Sequence, residues 1–336
     1  MKMTLLDYLR CPDCGERFEC SRFKEANGEV IEGELKCRNC STVYPIRSGI
    51  PQFLPSGVLS ETLSAAERFS WEWRRFSRTV ELGYLGSEEL FLDFIAPLGY
   101  SFFRGKVILD AGCGLGRFTS LAYGFGALQV IGIDLGSSVE VAYQKTKSLP
   151  GVNIIQADLR RLPFGRIFDY IFSIGVLHHL PNPEEGFHSL VKHMKEGAGI
   201  SIYVYGRENN DLVIRFIEPV RKNLTSRLPR FILYIISHPI TLVLFLVLKG
   251  VHNPLNRFCC YFPFLKKLLV HGEYMSFISK FGYSELQLLV FDQLTPRITN
   301  YIKRDEITSW FEHSGLQQVC VTCRLGIGWR GFGRKL

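Results

Sequence analysis

The 336-residue sequence has no apolar run near Met1 of the length a secretory signal needs, because Lys2, Asp7 and Arg10 interrupt the first ten residues. That lack leads us to expect a cytoplasmic chain. It also has no acidic surplus: 32 Asp and Glu stand against 40 Lys and Arg, for a formal charge of +8. A basic balance of this size suggests an anionic partner, whether nucleic acid, a membrane surface or an acidic substrate. The front of the chain does not carry it, since residues 1–50 hold eight basic and eight acidic side chains. Residues 207–267 hold ten basic and three acidic ones. Without an export signal, the ten cysteines argue for metal ligands or reduced thiols and against a disulfide framework. The length suits one large α/β domain with a small appendage.

Four cysteines have metal spacing. Cys11-Pro12-Asp13-Cys14 and Cys37-Arg38-Asn39-Cys40 are two Cys-x-x-Cys knuckles about twenty residues apart, which lets two tight turns aim four thiolates at one tetrahedral Zn²⁺. A segment of some forty residues buries too little apolar area to fold alone, and metal binding supplies roughly 10 to 16 kcal/mol in small zinc peptides. The zinc is therefore expected to be structural, with no open position for water. Residues 56–104 carry no metal or phosphate motif, but Phe69, Trp73 and Phe76 recur on one helical face, either packing on the next domain or closing over a site as a lid.

From Lys106 the pattern changes. Lys106-Val107-Ile108-Leu109-Asp110 reads as a buried strand, Gly112, Gly114 and Gly116 as a turn that lets backbone approach a ligand, and the segment from Arg117 as a helix with Phe118 and Leu121 inward. Val130–Asp134 is a second strand ending in a carboxylate about twenty residues on, where an acceptor for two ribose hydroxyls belongs. Asn153–Asp158 is a third strand ending in an acid suited to an adenine amino group, and Phe168–Ile174 and Gly199–Tyr205 are the fourth and fifth. Strands alternating with helices predict a parallel sheet whose ligand lies beyond the strand carboxyl ends, where Asp110, Asp134, Asp158 and Ser173 sit. The Gly-x-Gly-x-Gly order differs from the Gly-x-Gly-x-x-Gly order of NAD enzymes.

The knuckles, with Leu5-Leu6-Asp7 before them and Val43-Tyr44-Pro45-Ile46-Arg47-Ser48-Gly49-Ile50-Pro51 after, resemble the Trm112-like zinc-ribbon family, in which the ribbon stabilises a methyltransferase. The strand series, with Asp110-Ala111-Gly112-Cys113-Gly114-Leu115-Gly116, Leu162-Pro163-Phe164, Phe168-Asp169 and Leu177-His178-His179-Leu180, resembles class I S-adenosylmethionine-dependent methyltransferases of the ubiquinone and menaquinone biosynthesis type. The resemblance implies an α/β fold with a doubly wound, mostly parallel seven-stranded sheet. It also implies S-adenosylmethionine as cofactor, with Gly112 and Gly114 beside Asp110 and Gly116 toward the methionine part. Asp134 and Leu135 would then serve the ribose, Asp158 and Leu159 the adenine, and Ser173 to Val176, including Gly175, the sulfonium. The chain is shorter than the family between Phe164 and Phe168.

Methyl transfer from a sulfonium can be driven largely by alignment, worth up to roughly 7 to 11 kcal/mol. His178 or His179 is placed to act as a base if the acceptor must lose a proton, and Tyr203 or Tyr205 to orient that acceptor. Asp305–Gly315, capped by Asp305 with Ile307, Trp310 and Phe311 inward, is the expected last helix, followed by a strand over Leu316–Cys323.

The implied organisation is a ribbon over 1–55, a helical linker or lid over 56–104, a methyltransferase domain over 105–206 and 297–336, and a helical insertion over 207–296. Within the insertion Phe231–Leu248 is apolar but for Ser237, His238, Pro239 and Thr241. A second apolar run, Phe258–Val270, is cut by Pro263, Lys266 and Lys267. The insertion reads first as a buried helical lid and second as an interfacial hairpin through 207–270, since Arg221, Lys222, Arg227 and Arg230 precede the first run and Lys249 follows it, the arrangement expected for head-group contact; a single membrane crossing is excluded because strands five and six pair on one side. The expected function is methylation of a small or lipid-linked acceptor by a membrane-associated enzyme. An RNA methyltransferase is the alternative, and nucleic acid ranks behind because the ribbon sums to zero charge.

Overall fold

A computed structural model describes residues 1–54, 60–261 and 271–336, with the side chains of 60–62 and 258–261 left aside. The ribbon is a meander of four strands, β1 (Phe18–Ala26), β2 (Glu29–Cys37), β3 (Val43–Arg47) and β4 (Ile50–Phe53), each antiparallel to the last. A long helix α1 (Ser60–Leu82) and a short α2 (Glu88–Phe94) follow, the latter capped by the Ser87 hydroxyl accepting from the Leu90 N–H. The alternating unit then runs β5 (Val107–Ala111), α3 (Arg117–Gly124), β6 (Gln129–Asp134), α4 (Val139–Thr146), β7 (Val152–Ala157), β8 (Phe168–Ile174), α5 (Pro183–Val191) and β9 (Met194–Tyr205). β5 and β7 are buried at every residue, as parallel strands covered on both faces must be.

The insertion contributes α6 (Glu218–Asn223), α7 (Arg230–Val247), α8 (Asn253–Tyr261), α9 (Gly272–Ile278) and α10 (Tyr283–Leu294). The chain closes with α11 (Arg304–His313), β10 (Gln317–Arg324) and β11 (Gly328–Arg334). Ile307, Trp310 and Phe311 are buried as expected. Asp305 is not the cap: it lies inside the first turn, and the Glu306 carboxylate accepts the Lys303 N–H instead.

Strand order is β1-β2-β3-β4-β7-β6-β5-β8-β9-β11-β10. The seven strands from β7 to β10 are the expected Rossmann-like set, with β11 antiparallel between β9 and β10. They do not form a separate sheet. β4 pairs in parallel with β7, Gln52 beside Gln156 and Phe53 beside Ala157, and extends the sheet to eleven strands. The reason is the edge of β7, whose open backbone groups would otherwise need water or another chain. The short Ile50-Pro51-Gln52-Phe53 gives little sign of this in the sequence.

Side chains and one backbone N–H lock the same junction. Lys2 Nζ donates to the Val152 carbonyl (2.6 Å), the Tyr143 hydroxyl donates to Glu29 Oε2 (2.8 Å), and the Arg10 N–H donates to the Pro163 carbonyl (2.8 Å). Arg161 pairs with Asp13, whose other oxygen accepts the Tyr44 hydroxyl (2.8 Å). One continuous core runs from Met1, Leu5 and Phe18 to Ile155, Phe164 and Phe187. The ribbon thus grips the segment after β7, the place where the chain is shorter than the family it resembles.

The insertion is built the other way round. On α7 the polar residues face inward: Ser237 and Thr241 are buried, and Gln287 of α10 donates to Ser237 Oγ (3.2 Å). Phe231, Ile232, Ile235, Ile240, Leu242, Val243, Leu246 and Val247 are exposed. Arg230–Arg257 is, among the described residues, the one helical stretch long and apolar enough by length and composition to cross a membrane, and only 22% of its most apolar window is buried. Arg221 departs from the expected head-group role. It is buried, with Nη1 toward the Gln293 carbonyl (3.5 Å) and Nη2 toward the Tyr301 hydroxyl (3.4 Å). Lys249 donates to the Ser279 carbonyl at 2.6 Å. Phe258–Val270, with Pro263, Lys266 and Lys267, lies outside the described residues apart from the helical backbone up to Tyr261.

Candidate active site

A cavity of about 290 Å³ opens beyond the carboxyl ends of β5, β6, β7, β8 and β9. Asp134 and Leu135 at the tip of β6, Asp158 and Leu159 after β7, Gly175 and His179 after β8, and Tyr205 at the end of β9 share its wall. Phe69, Glu72 and Trp73 of α1 close one side, and Leu288, Leu289 and Asp292 of α10 another. The aromatic stripe therefore divides: Phe76 packs in a buried cluster with Phe281 and Phe291, while Phe69 and Trp73 face the cavity.

Asp134 is held by the glycine turn. Its Oδ2 accepts the Gly114 N–H and its Oδ1 the Gly136 N–H, both at 2.9 Å, and each carboxylate oxygen keeps capacity to accept a further donor. Burial pushes its carboxyl up, against the pull of those N–H groups. Gly112 has φ +89°, and a Cβ there would strike Val176, so only glycine fits. Gly114 faces the Trp73 indole across the turn, and Gly116 forms the left-handed start of α3.

Of the residues expected at the donor, Asp110, Gly114, Gly116 and Ser173 do not line the cavity, and Asp158 lines it with its carboxylate already engaged. Asp110 lies beneath the turn, not on the cavity wall, with Oδ2 accepting from Thr119 at 2.6 Å; burial raises its carboxyl to about 7. Ser173 ties β8 to β5, donating to the Ala111 carbonyl at 2.9 Å. Asp158 reaches the cavity, but its carboxylate is taken by Arg160: Oδ2 accepts Nη2 at 2.6 Å and Oδ1 accepts Nε at 3.0 Å.

The two histidines also separate. His179 lines the cavity, its ring 4.8 Å from Phe69 and its Nδ1 2.9 Å from the Ile298 carbonyl, and burial lowers it to about 4. His178 is fully buried behind it, stacked 4.0 Å from Tyr205, with neither ring nitrogen hydrogen-bonded, and burial holds it well below its ordinary value. Tyr205 donates to Asp292 Oδ2 at 3.1 Å. Tyr203 lies beside Phe94 and Arg324 on the same wall.

In the ribbon, the Sγ atoms of Cys11, Cys14, Cys37 and Cys40 lie within 4.8 Å of one another, with Cys11 to Cys40 at 3.6 Å and Cys14 to Cys37 at 3.4 Å. Four thiolates about 2.3 Å from a tetrahedral Zn²⁺ stand roughly 3.8 Å apart, so the donor set fits that ion with no position left open.

Residues 109–202 match the family described as methyltransferase domain, and residues 2–49 the family described as Trm112p-like protein. The chain carries a class I methyltransferase domain behind a Trm112-like domain. Such a domain uses S-adenosylmethionine as donor, and the apolar walls, glycine turn and Asp134 fit that group. Among curated proteins, the chain is 26% identical to a tRNA U34 carboxymethyltransferase of Pseudoalteromonas translucida over 54% of this chain and 58% of that one. It is 29% identical to the protein so named in Tolumonas auensis, over 55% and 52%. The chain spans about half the length of these relatives. Among solved structures it is similar to the Haloferax volcanii complex of the Trm112 methyltransferase activator with a methyltransferase (14% identity, 80% and 97% coverage, TM-score 0.45). It is also similar to the magnesium protoporphyrin IX methyltransferase of Synechocystis (12%, 84% and 100%, TM-score 0.47).

The cavity wall also holds residues that the strand series does not reveal. Glu72 and Asp292 stand far apart in sequence, and Arg117, the first residue of α3, is half-buried with Nη1 donating to the Leu85 carbonyl at 2.7 Å. The signal for Glu72 was present as a lone acid inside the Phe69, Trp73, Phe76 face. Nothing near Asp292 marks it. The names of the curated relatives also run against the ranking of nucleic acid behind other partners.

Proposed function

We propose that this chain transfers a methyl group from S-adenosylmethionine to a nucleophile seated between α1 and α10, and that a base in RNA is the first acceptor to test. When bound, the donor supplies a methyl carbon already activated on a sulfonium. In this reading Asp134 holds the ribose hydroxyls, and Leu135, Leu159 and Gly175 flank the adenosine, with Asp158 fixing Arg160 at its edge. Gly112, Gly114 and Gly116 take the methionine part, with Asp110 and Ser173 supporting the turn and the strand pair from behind. The observation that carries the donor assignment is the Asp134 carboxylate fixed by two backbone N–H groups at a parallel-strand tip facing the cavity. The tRNA names of the curated relatives support the RNA acceptor and reverse the order that ribbon charge suggested. His179 at about 4 is neutral at pH 7 and so able to accept a proton, though weakly basic; His178 serves as packing for Tyr205.

A second reading has its own observation. The outward apolar face of α7 supports a lipid-like acceptor met at a membrane surface by an otherwise cytoplasmic enzyme, with Lys222, Arg227 and Arg230 toward anionic head groups.

Zinc-loaded protein incubated with methyl-labelled S-adenosylmethionine and either total RNA or vesicles of total lipid separates the two readings. Label in RNA that falls steeply with salt supports the first, and label in lipid the second. Calorimetry with S-adenosylhomocysteine tests the donor site shared by both. Asp134→Ala is expected to weaken binding about 100-fold, since hydrogen bonds to a charged group contribute roughly 1.5 to 3 kcal/mol each. No heat with wild-type protein, or none of this loss in the variant, defeats the donor assignment.

A further inference from the structure

The strand-tip acids share the cavity wall with two further acids, Glu72 of α1 and Asp292 of α10. Glu72 is fully buried on α1, and neither carboxylate oxygen has a hydrogen-bond partner. Asp292, on α10, accepts the Tyr205 hydroxyl on one oxygen. Both acids line the cavity that Asp134 and Gly175 line. An ionisable group taken out of water without a partner is costly, and a fold keeps one where a ligand completes it.

Sheet order gives this pair its meaning. β6 and β7, with Asp134 and Asp158, lie on one side of β5; β8 and then β9, ending in Tyr205, lie on the other. An adenosyl group at the first side directs its reactive end across β5 and β8 toward Tyr205 and Asp292. The charges around the pair agree. Arg117 and Arg221 act on Asp292, whose carboxyl burial lifts to about 6, whereas the one charge acting on Glu72 is Asp292 itself, and Glu72 is held well above its usual range.

We propose that Glu72 and Asp292, with Tyr205 between Asp292 and the sheet, form the acceptor site, taking a nucleophile that presents O–H or N–H donors. This rests on the donor assignment above and adds residues that the strand series does not contain. Glu72 accepts one donor of the acceptor and orients it. As the acceptor's lone pair forms the new bond to the methyl carbon and the carbon–sulfur bond breaks toward sulfur, the acceptor's proton passes to Asp292 and then to water. Tyr205 fixes the oxygen of Asp292 that is not receiving it. An acceptor without a removable proton has no use for this arrangement.

The test uses full-length, zinc-loaded protein in three variants, Glu72→Gln, Asp292→Asn and Tyr205→Phe. The probes are S-adenosylhomocysteine for binding and, for transfer, methyl-labelled S-adenosylmethionine with whichever pool, total RNA or total lipid, gains label. Expected results are S-adenosylhomocysteine affinity within threefold of wild type in every variant and transfer lowered at least 100-fold in Asp292→Asn. Glu72→Gln should raise the acceptor KM at least tenfold while its melting temperature holds or rises, because an unpartnered buried acid has been removed. A structural role would instead lower the melting temperature and leave KM unmoved. Transfer within threefold of wild type in Asp292→Asn overturns the proposal, as does a tenfold loss of S-adenosylhomocysteine affinity in Glu72→Gln, which would make Glu72 a ligand of the donor's ammonium. If wild-type protein binds no S-adenosylhomocysteine, the donor assignment fails and this proposal with it; binding without label in either pool leaves the donor site standing and overturns the acceptor proposal alone.

Discussion

The ribbon and the insertion are both additions to one sheet, and they meet their surroundings in opposite ways. The ribbon directs polar side chains at the domain it serves: Lys2, Asp13 and Glu29 all bond across the junction, and β4 completes the edge of β7. The insertion turns Ser237 and Thr241 of α7 inward and leaves a row of Ile, Leu and Val outside. A helix in water normally does the reverse. The difference teaches that attachment and exposure are separate properties: one addition braces the methyltransferase domain, the other offers it a surface.

Removing the metal should produce the largest effect. Chelation, or Cys37→Ser, is expected to unfold the ribbon, expose the β7 edge and free the segment from Asp158 to Phe164 that Arg10 and Asp13 hold. Zinc supplies roughly 10 to 16 kcal/mol in small peptides. Scanning calorimetry should therefore show a fall in melting temperature of more than about 10 °C, with S-adenosylhomocysteine binding lost alongside. A chelated protein that melts unchanged would break the comparison by making the ribbon a passenger.

A smaller effect tests the seam where α1 meets the sheet. His179, lowered by burial from 6.5 to about 4, binds more protons unfolded than folded below pH 6.5. Its contribution to stability is thus present above that pH and is lost as pH falls toward 4. Asp110 and Asp292, raised by burial to about 7 and about 6, act in the opposite sense. A difference measurement isolates the histidine. Between pH 7 and 5.5, denaturant unfolding should show wild type losing about 1 kcal/mol more than His179→Gln. An equal loss in both would remove His179 from the buried seam.

The smallest effect on stability should come from the outer face of α7. Val243, 63% exposed, changed to Asp should alter unfolding free energy by less than about 0.5 kcal/mol. If the apolar face meets a membrane, the same change should reduce co-sedimentation with anionic vesicles several-fold. Vesicle binding that is absent in wild type, or indifferent to the change, would leave the face to another kind of contact.

Much of the core was legible from the sequence because its signals are local. The five strands, the glycine turn and the four thiolates each lie within a few residues of chain whose pattern has one good solution, and α11 buries the three residues its spacing named. What the sequence did not show is how some side chains are engaged. The Ser173 hydroxyl meets the distant Ala111 carbonyl, and Gln293 and Tyr301 enclose Arg221, against its expected head-group role, whereas Asp158 is engaged by Arg160 only two residues on.

The sequence alone determined the Cys₄ ribbon, the alternating α/β unit with its glycine turn and the presence of an apolar, basic insertion, since periodicity and short-range spacing specify these without reference to the rest of the chain. Only the tertiary structure decided that the ribbon's last strand extends the sheet, that α7 points its apolar face outward, and that Glu72 meets Asp292 across one cavity. Each of those depends on groups far apart in the chain, brought together because a strand edge must be paired, a helix has two faces and a buried charge must find an answer somewhere in three dimensions.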